Sequence, residues 1–259
     1  MTARNTLLTL ALLAWLPATA SAQTSYGYRV LESKPQSRQH FVQGLQIVDG
    51  DLYLSTGGYG ESRLLRYRLE DGALDTARQL HPRLFGEGLA VVEDRIYQLT
   101  WRAGLMIVWD RNNLQPLETL RIATQGWGIT WNGEQLIYSD GSERLHFMDR
   151  ATGRVTRSLR VTDGGVAVPR LNELEWIDGK VWANVWQSDE IVIIDPESGN
   201  VTARLDLTGL LPDSERTAGT DVLNGIAQNP ADGAIWVTGK RWPHMYRIEL
   251  VPRDEPGPT

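Results

Sequence analysis

Glu87 stands in the run Phe85-Gly86-Glu87-Gly88, a carboxyl between two glycines and next but one to an aromatic ring. The glycines leave backbone room for close approach of a ligand. An apolar surround makes a carboxyl hard to ionise, so its pKa is expected to rise. An acid held near neutrality can take up a proton and return it. Elsewhere, Gln43, Asn172 and Lys240 offer amide and ammonium groups, and Phe41, Trp101, Trp127 and Trp186 offer large apolar faces. Together they would form an apolar cage with a few oriented polar groups around one proton-transferring acid. Singly, each has a plainer explanation: tryptophans pack, a lysine is solvated, an amide satisfies a turn, and a glutamate caps backbone N–H groups. Only convergence sets them apart.

The elements that must position them form an internal repeat. A small residue followed by Leu or Ile recurs at Gly44-Leu45, Gly88-Leu89, Gly128-Ile129, Glu173-Leu174 and Gly225-Ile226. After each comes a turn dipeptide such as Asp49-Gly50, Asn132-Gly133 or Asp178-Gly179, and then an apolar–aromatic strand such as Leu52–Ser55 or Val181–Asn184. A third strand follows each time, and a fourth in the first four repeats. Four strands per unit of about 40–50 residues is a propeller pattern. The spacing therefore predicts an all-β, five-bladed β-propeller with four antiparallel strands per blade. The last repeat runs out after three strands, so Tyr28–Glu32 is expected to supply its fourth and close the ring. A β-sandwich also has many short strands but gives no reason for five aligned copies.

In a propeller the first strand of each blade lines the central axis, so one repeat position becomes one ring of side chains. The residue before each repeat start gives Gln43, Glu87, Trp127, Asn172 and Asn224. The end of the second strand returns to the same face and carries Gly57, Trp101, Gly141, Trp186 and Lys240. Both rings are predicted to meet at one mouth, walled further by Phe41 and Phe85.

Composition narrows the alternatives. The chain of 259 residues has a formal net charge of −6 and scattered basic residues, which disfavours nucleic acid and anionic membranes as partners. It has no cysteine, which removes disulfides, thiol catalysis and zinc–thiolate sites. Its four histidines lack metal-ligand spacing, and the two rings offer one carboxyl, so no catalytic metal is expected and no cofactor is required. Acidic loops at Asp140 or Asp221 could hold a structural calcium. Arg4, the apolar run Leu7–Leu16 and Ala20-Ser21-Ala22 read as an export signal over residues 1–22. The run is shorter than the roughly 20 residues a membrane-spanning helix needs. Export would place a domain of residues 23–251 in the periplasm or outside the cell, with Gln23 at its start and a polar, Pro-rich tail at 252–259. A closed ring has no free edge, so a monomer is expected.

The chain also resembles the glutaminyl-peptide cyclotransferases of the plant and bacterial, metal-independent type. The resemblance runs from Phe41 to Leu250 and is carried by Phe41-Val-Gln-Gly-Leu45, Phe85-Gly-Glu-Gly-Leu89, Leu99-Thr-Trp101, Gly126-Trp-Gly128, Leu171-Asn-Glu-Leu-Glu-Trp176, Asn184-Val-Trp186, Leu223-Asn-Gly225 and Thr238-Gly-Lys-Arg-Trp-Pro243. It departs from the family pattern at Val42 and Gly58, neither of which bears the proposed chemistry. The resemblance implies a five-bladed propeller that turns the N-terminal glutamine of peptides or proteins into pyroglutamate with release of ammonia. It implies Glu87 as acid/base, Gln43, Asn172 and Lys240 as polar site residues, and Phe41, Phe85, Trp101, Trp127 and Trp186 as pocket walls. Gln23 itself would then be a substrate. The rival readings are a propeller that only binds a peptide or protein, and a metal-dependent propeller enzyme.

Overall fold

Tight turns set the strand pattern. Asp49 and Gly50 both have positive φ (53° and 83°), as do Asp178 and Gly179 (48° and 75°), the backbone of the two-residue turn whose twist suits a hairpin. The computed structural model describes residues 24–253, and there the chain is all-β apart from one 3-10 turn at Asp213–Glu215. The export signal, Gln23 and residues 254–259 lie outside the described residues.

After β1 (Thr24–Pro35), three four-stranded antiparallel sheets follow in chain order. The first holds β2 (Val42–Val48), β3 (Asp51–Thr56), β4 (Arg63–Arg68) and β5 (Leu74–Gln79). The second holds β6 (Gly86–Val92), β7 (Arg95–Thr100), β8 (Leu105–Asp110) and β9 (Pro116–Arg121). The third holds β10 (Ile129–Trp131), β11 (Leu136–Ser139), β12 (Arg144–Met148) and β13 (Val155–Arg160). A small hairpin, β14 (Thr162–Asp163) with β15 (Val166–Ala167), leads on to β16 (Leu171–Ile177), β17 (Lys180–Val185), β18 (Glu190–Ile194) and β19 (Val201–Asp206). The last strands are β20 (Leu223–Gln228), β21 (Ile235–Gly239) and β22 (His244–Pro252).

β1 pairs antiparallel with β22 from Tyr26↔Pro252 to Pro35↔His244, in the place the sequence assigns to an N-terminal strand. Two features were not legible. The strand is longer than Tyr28–Glu32, and its first residues also pair in parallel with β19. That second pairing fuses eight strands into one sheet of order β16-β17-β18-β19-β1-β22-β21-β20. β22 runs through Pro252 and Arg253 N donates to Ser25 O, so the first two residues of the expected tail are held against β1.

Burial falls from the first strand of each set to the last. β6 is buried along its whole length, whereas β9 is largely exposed and β13 alternates. The first strands touch in a cycle: β2 lies against β6 and β20, β6 against β10, β10 against β16, and β16 against β20. The apolar core lies between sheets. Leu64 shares a cluster with Leu89 and Ile96, Val92 with Ile129, Phe147 with Val181, Ile191 with Ile226, and Ala227 and Met245 with Leu45 of the first sheet. Burial of each such side chain stabilises the fold by roughly 1.5–3 kcal/mol, so neighbouring sheets hold one another in place.

Along the axis the backbones come too close for side chains. A Cβ on Gly44 would lie 2.5 Å from Leu89 N, one on Gly88 2.7 Å from Trp127 O, and one on Gly128 2.0 Å from Asn172 O. Glu173, at the equivalent place in the fourth repeat, fills the axis. Its Oε1 accepts from Leu45 N (3.2 Å) and its Oε2 from Ile226 N (2.9 Å), tying β16 to β2 and β20.

Candidate active site

Each first strand breaks its register at the residues the sequence nominates. Irregular pairing falls between Val42 and Gly44, Gly86 and Leu89, Leu171 and Leu174, and Leu223 and Ile226. These breaks bracket Gln43, Glu87, Asn172 and Asn224. In the third set β10 begins only after Trp127 and Gly128. A bulge leaves a residue out of the ladder and re-aims its side chain. Of the side chains at these breaks, Gln43, Glu87 and Asn172 line one cavity.

That cavity, of about 560 Å³, is lined by Phe41, Gln43, Phe85, Glu87, Trp101, Trp127, Asn172, Trp186 and Lys240, all nine of the nominated residues. Arg102, Gln187, Asp221 and Val222 complete the lining. Asn224 lies behind it: its Nδ2 donates to Val42 O (3.0 Å) and to Gln43 Oε1 (3.4 Å), so it orients Gln43 rather than facing the cavity. Gln43 Nε2 in turn donates to Glu87 Oε1 (3.3 Å).

The aromatic walls interlock. Phe85 meets Phe41 edge-on (6.2 Å between centroids), Tyr59 (5.4 Å) and Trp101 (5.4 Å), while Trp127 and Trp186 form a T at 5.5 Å and 89°. The two glycines of the mouth ring make room for them. A Cβ on Gly57 would meet the Phe85 ring at 2.3 Å, and one on Gly141 would meet Trp127 at 2.6 Å.

Two ionisable groups are buried here, Glu87 and Lys240, each 4 % exposed. Burial pushes the Glu87 carboxyl well above the ordinary glutamate value, with the Lys240 charge pulling it partly back. Burial lowers the Lys240 ammonium, against the opposing pull of Glu87 and Asp221. Lys240 has no ion-pair partner among the described residues, and its Nζ sits 5.0 Å from the centroid of Phe41. Asn172 is 1 % exposed, and among the described residues its buried Oδ1 has no partner and its Nδ2 donates to no group. The cavity thus presents a carboxyl, an ammonium and an amide whose donors the fold leaves unspent.

Sequence reasoning missed several residues. Asp221 lines the cavity, so Glu87 is not its sole carboxyl. The guanidinium of Arg102 lies 3.8 Å from the centroid of Trp101, a cation on an indole face at the rim. Ser55 Oγ donates to Glu87 O, Ser139 Oγ donates to Asn172 O (2.7 Å), and Gly225 N donates to Asn184 Oδ1 (2.9 Å). Ser55 and Ser139 thus hold the ring residue of the following repeat, and Asn184 holds the glycine next to it. Their signal is a polar residue at a buried inner position: Ser55, Ser139 and Asn184 are each 0 % exposed. Asp140 accepts from His146 Nε2 (3.0 Å) and Ser142, and no three His, Asp or Glu side chains converge as metal ligands among the described residues.

Comparison with known proteins bears on the whole of this architecture. A β-propeller domain, the WD40 domain of Doa1, superposes with a TM-score of 0.50 at 12 % identity, over 79 % of this chain and 62 % of that one, and speaks to the fold alone. The crystal structure of Myxococcus xanthus glutaminyl cyclase superposes with a TM-score of 0.83 at 32 % identity, covering 90 % of this chain and 100 % of that one. A glutaminyl-peptide cyclotransferase of Arabidopsis thaliana is 37 % identical over 227 residues, 85 % of this chain and 70 % of the plant protein. Residues 6–250 match the profile of one family along nearly the full chain. The chain belongs to the glutamine cyclotransferase family.

Proposed function

We propose that this protein is a glutaminyl-peptide cyclotransferase, built as a five-bladed propeller, that converts the N-terminal glutamine of peptides or proteins to pyroglutamate. The observation that carries the reading is the burial of Glu87, Lys240 and Asn172 in one aromatic-walled cavity. The cycle of first strands and the apolar clusters between consecutive sheets support five blades, with β1 completing the fifth.

The reaction is an acyl transfer within one residue. The substrate's α-amine attacks the carbon of its own side-chain carboxamide, and Glu87 takes the proton that the attacking nitrogen loses. Negative charge passes to the carboxamide oxygen, where Asn172 Nδ2 and the Lys240 ammonium stabilise it. Glu87 then returns its proton to the departing nitrogen, the carbonyl reforms, and ammonia leaves with a five-membered lactam behind. The indole and phenyl walls fold the side chain back on its amine, which supplies proximity. Every proton is handled by these side chains, so no metal is needed for the chemistry as written.

A binding-only propeller is the second reading. It is disfavoured because burying a carboxyl and an ammonium without an ion-pair partner costs stability that function must justify. Ammonia release separates the two: a Gln-initiated peptide should release it with or without chelator, and an Asn-initiated peptide should not. Silence with Gln peptides would return the cavity to a binding role. Export with cleavage after Ala22 belongs to the same reading. The intact mass of the protein from the cell exterior or periplasm then shows a mature chain starting at residue 23, as pyroglutamate.

A further inference from the structure

A peptide or protein substrate is longer than a cavity of about 560 Å³ can enclose, so the chain beyond the first residues must leave it. A second cavity of about 420 Å³ adjoins it and shares three lining residues, Gln187, Asp221 and Val222. It lies between the turn that joins β17 to β18, where Ser188 and Asp189 sit, and the segment preceding β20, where Arg216 and Thr220 sit. Three further cavities, around Leu52 and Met245, around Arg66 and Asp75, and around Thr56 and Arg63, share no lining residue with the cavity of Glu87. The two adjoining cavities meet at Gln187, Asp221 and Val222 and are taken together as one groove.

The charges along this groove are unequal. Asp189 and Asp221 have no ion-pair partner among the described residues. Among the described residues Asp221 Oδ1 accepts only from its neighbour Val222 N (2.6 Å), and the Asp189 Oδ atoms accept from none. In the second cavity the one lining cation, Arg216, is turned to Asp213 at 3.5 Å, and nearby Arg38 is spent on Glu215 O (2.7 Å) and Thr220 Oγ1, while Lys240 of the first cavity attracts Asp221 from one side and leaves Asp189 to the incoming chain. Buried Leu223 gives the groove an apolar floor.

We propose that this groove is an extended substrate site that takes the second and third residues of the peptide and favours a basic side chain there. The proposal rests on the cyclotransferase reading of the cavity. A lysine or arginine would lay its aliphatic stem over Leu223 and set its charge between Asp189 and Asp221. An acidic side chain would meet two like charges. Exposed pairs of this kind are individually weak, so the preference for Gln-Lys over Gln-Glu peptides in kcat/KM is set at about fivefold, declining with salt.

The test compares ammonia release from Gln-Lys-Ala and Gln-Glu-Ala amides by the wild-type protein and by the double variant Asp189→Asn/Asp221→Asn. Binding of the corresponding pyroglutamyl peptides is measured in parallel and needs no turnover. A basic preference that collapses toward unity in the double variant supports the groove. Turnover of both peptides with an equal ratio in wild type, or with a ratio unmoved by the double variant, overturns it while leaving the cyclotransferase reading intact. Discrimination in pyroglutamyl-peptide binding without any ammonia release keeps the groove and overturns the reading of the cavity. Neither turnover nor discrimination overturns both.

Discussion

Gln43 Nε2 donates to Glu87 Oε1 across the boundary between two sheets, at 3.3 Å. This bond occupies one oxygen of the buried carboxyl, and no donor among the described residues reaches Oε2. Asn224 fixes Gln43 from behind, so three repeats cooperate to hold one carboxyl with one oxygen free.

Glu87→Gln keeps the shape of this network and removes the group that carries the proton. It should fold with unchanged thermal stability or better, since a buried ionisable group has been removed. Ammonia release from a Gln peptide should drop by about 10²–10⁴. A variant that retains wild-type turnover would falsify the acid/base assignment.

Turnover needs Glu87 in its carboxylate form and the substrate amine neutral, and both forms grow as pH rises. The acid limb of kcat/KM should therefore fall well above the ordinary glutamate pKa of 4.5, because burial raises Glu87. Lys240 acts in the opposite direction on that carboxyl. Lys240→Met should move the acid limb to still higher pH while lowering kcat. A pH–rate profile whose limb stays in place shows that the two groups do not communicate.

Asn172 offers its Nδ2 to charge that develops only during reaction. Asn172→Ala should cost about 10²–10³ in kcat with a far smaller change in KM. Steady-state kinetics reads the split, and a loss confined to KM would assign Asn172 to ground-state binding instead.

Glu175 lies deep beside the axis, where Gln228 N donates to its Oε1 (3.2 Å), and burial raises its pKa to about 8. A carboxyl raised on folding supports stability fully below its unfolded pKa and loses that support as pH climbs to the folded one. Glu175→Gln should therefore gain stability over wild type between about pH 4.5 and 8, by on the order of a few kcal/mol at the upper end. Denaturant titrations at pH 5 and pH 8.5 check this; a gap independent of pH contradicts it.

Gly128→Ala places a methyl 2.0 Å from Asn172 O and 2.7 Å from the Glu173 Cα, both backbone atoms. Backbone cannot rotate away, so the sheets must part at the axis. A loss of at least about 1–3 kcal/mol in stability is expected, with activity falling because Asn172 moves. Chemical denaturation and ammonia assays on the same preparation read both effects.

Much of this was legible in the chain itself. The repeat spacing, the turn dipeptides and the position of one unusual residue per repeat located Gln43, Glu87, Trp127 and Asn172, because a strand has a fixed side-chain period and a repeat carries it from unit to unit. The same logic placed Trp101, Trp186 and Lys240 at the returning ends of second strands. What no local pattern specifies is how far apart two units sit. That distance decides that Asn224 supports Gln43 instead of facing the cavity, and that the Glu173 carboxylate spans the axis to Leu45 and Ile226. It also brings Asp221 and Arg102 to the lining, although neither falls at a ring position of the repeat. Likewise, the parallel pairing of β1 with β19 joins residues about 180 positions apart and has no sequence signature. Sequence determined which side chains each unit offers to the axis; only packing of the sheets against one another decided which of them meet, because burial and hydrogen-bond geometry belong to the space between units.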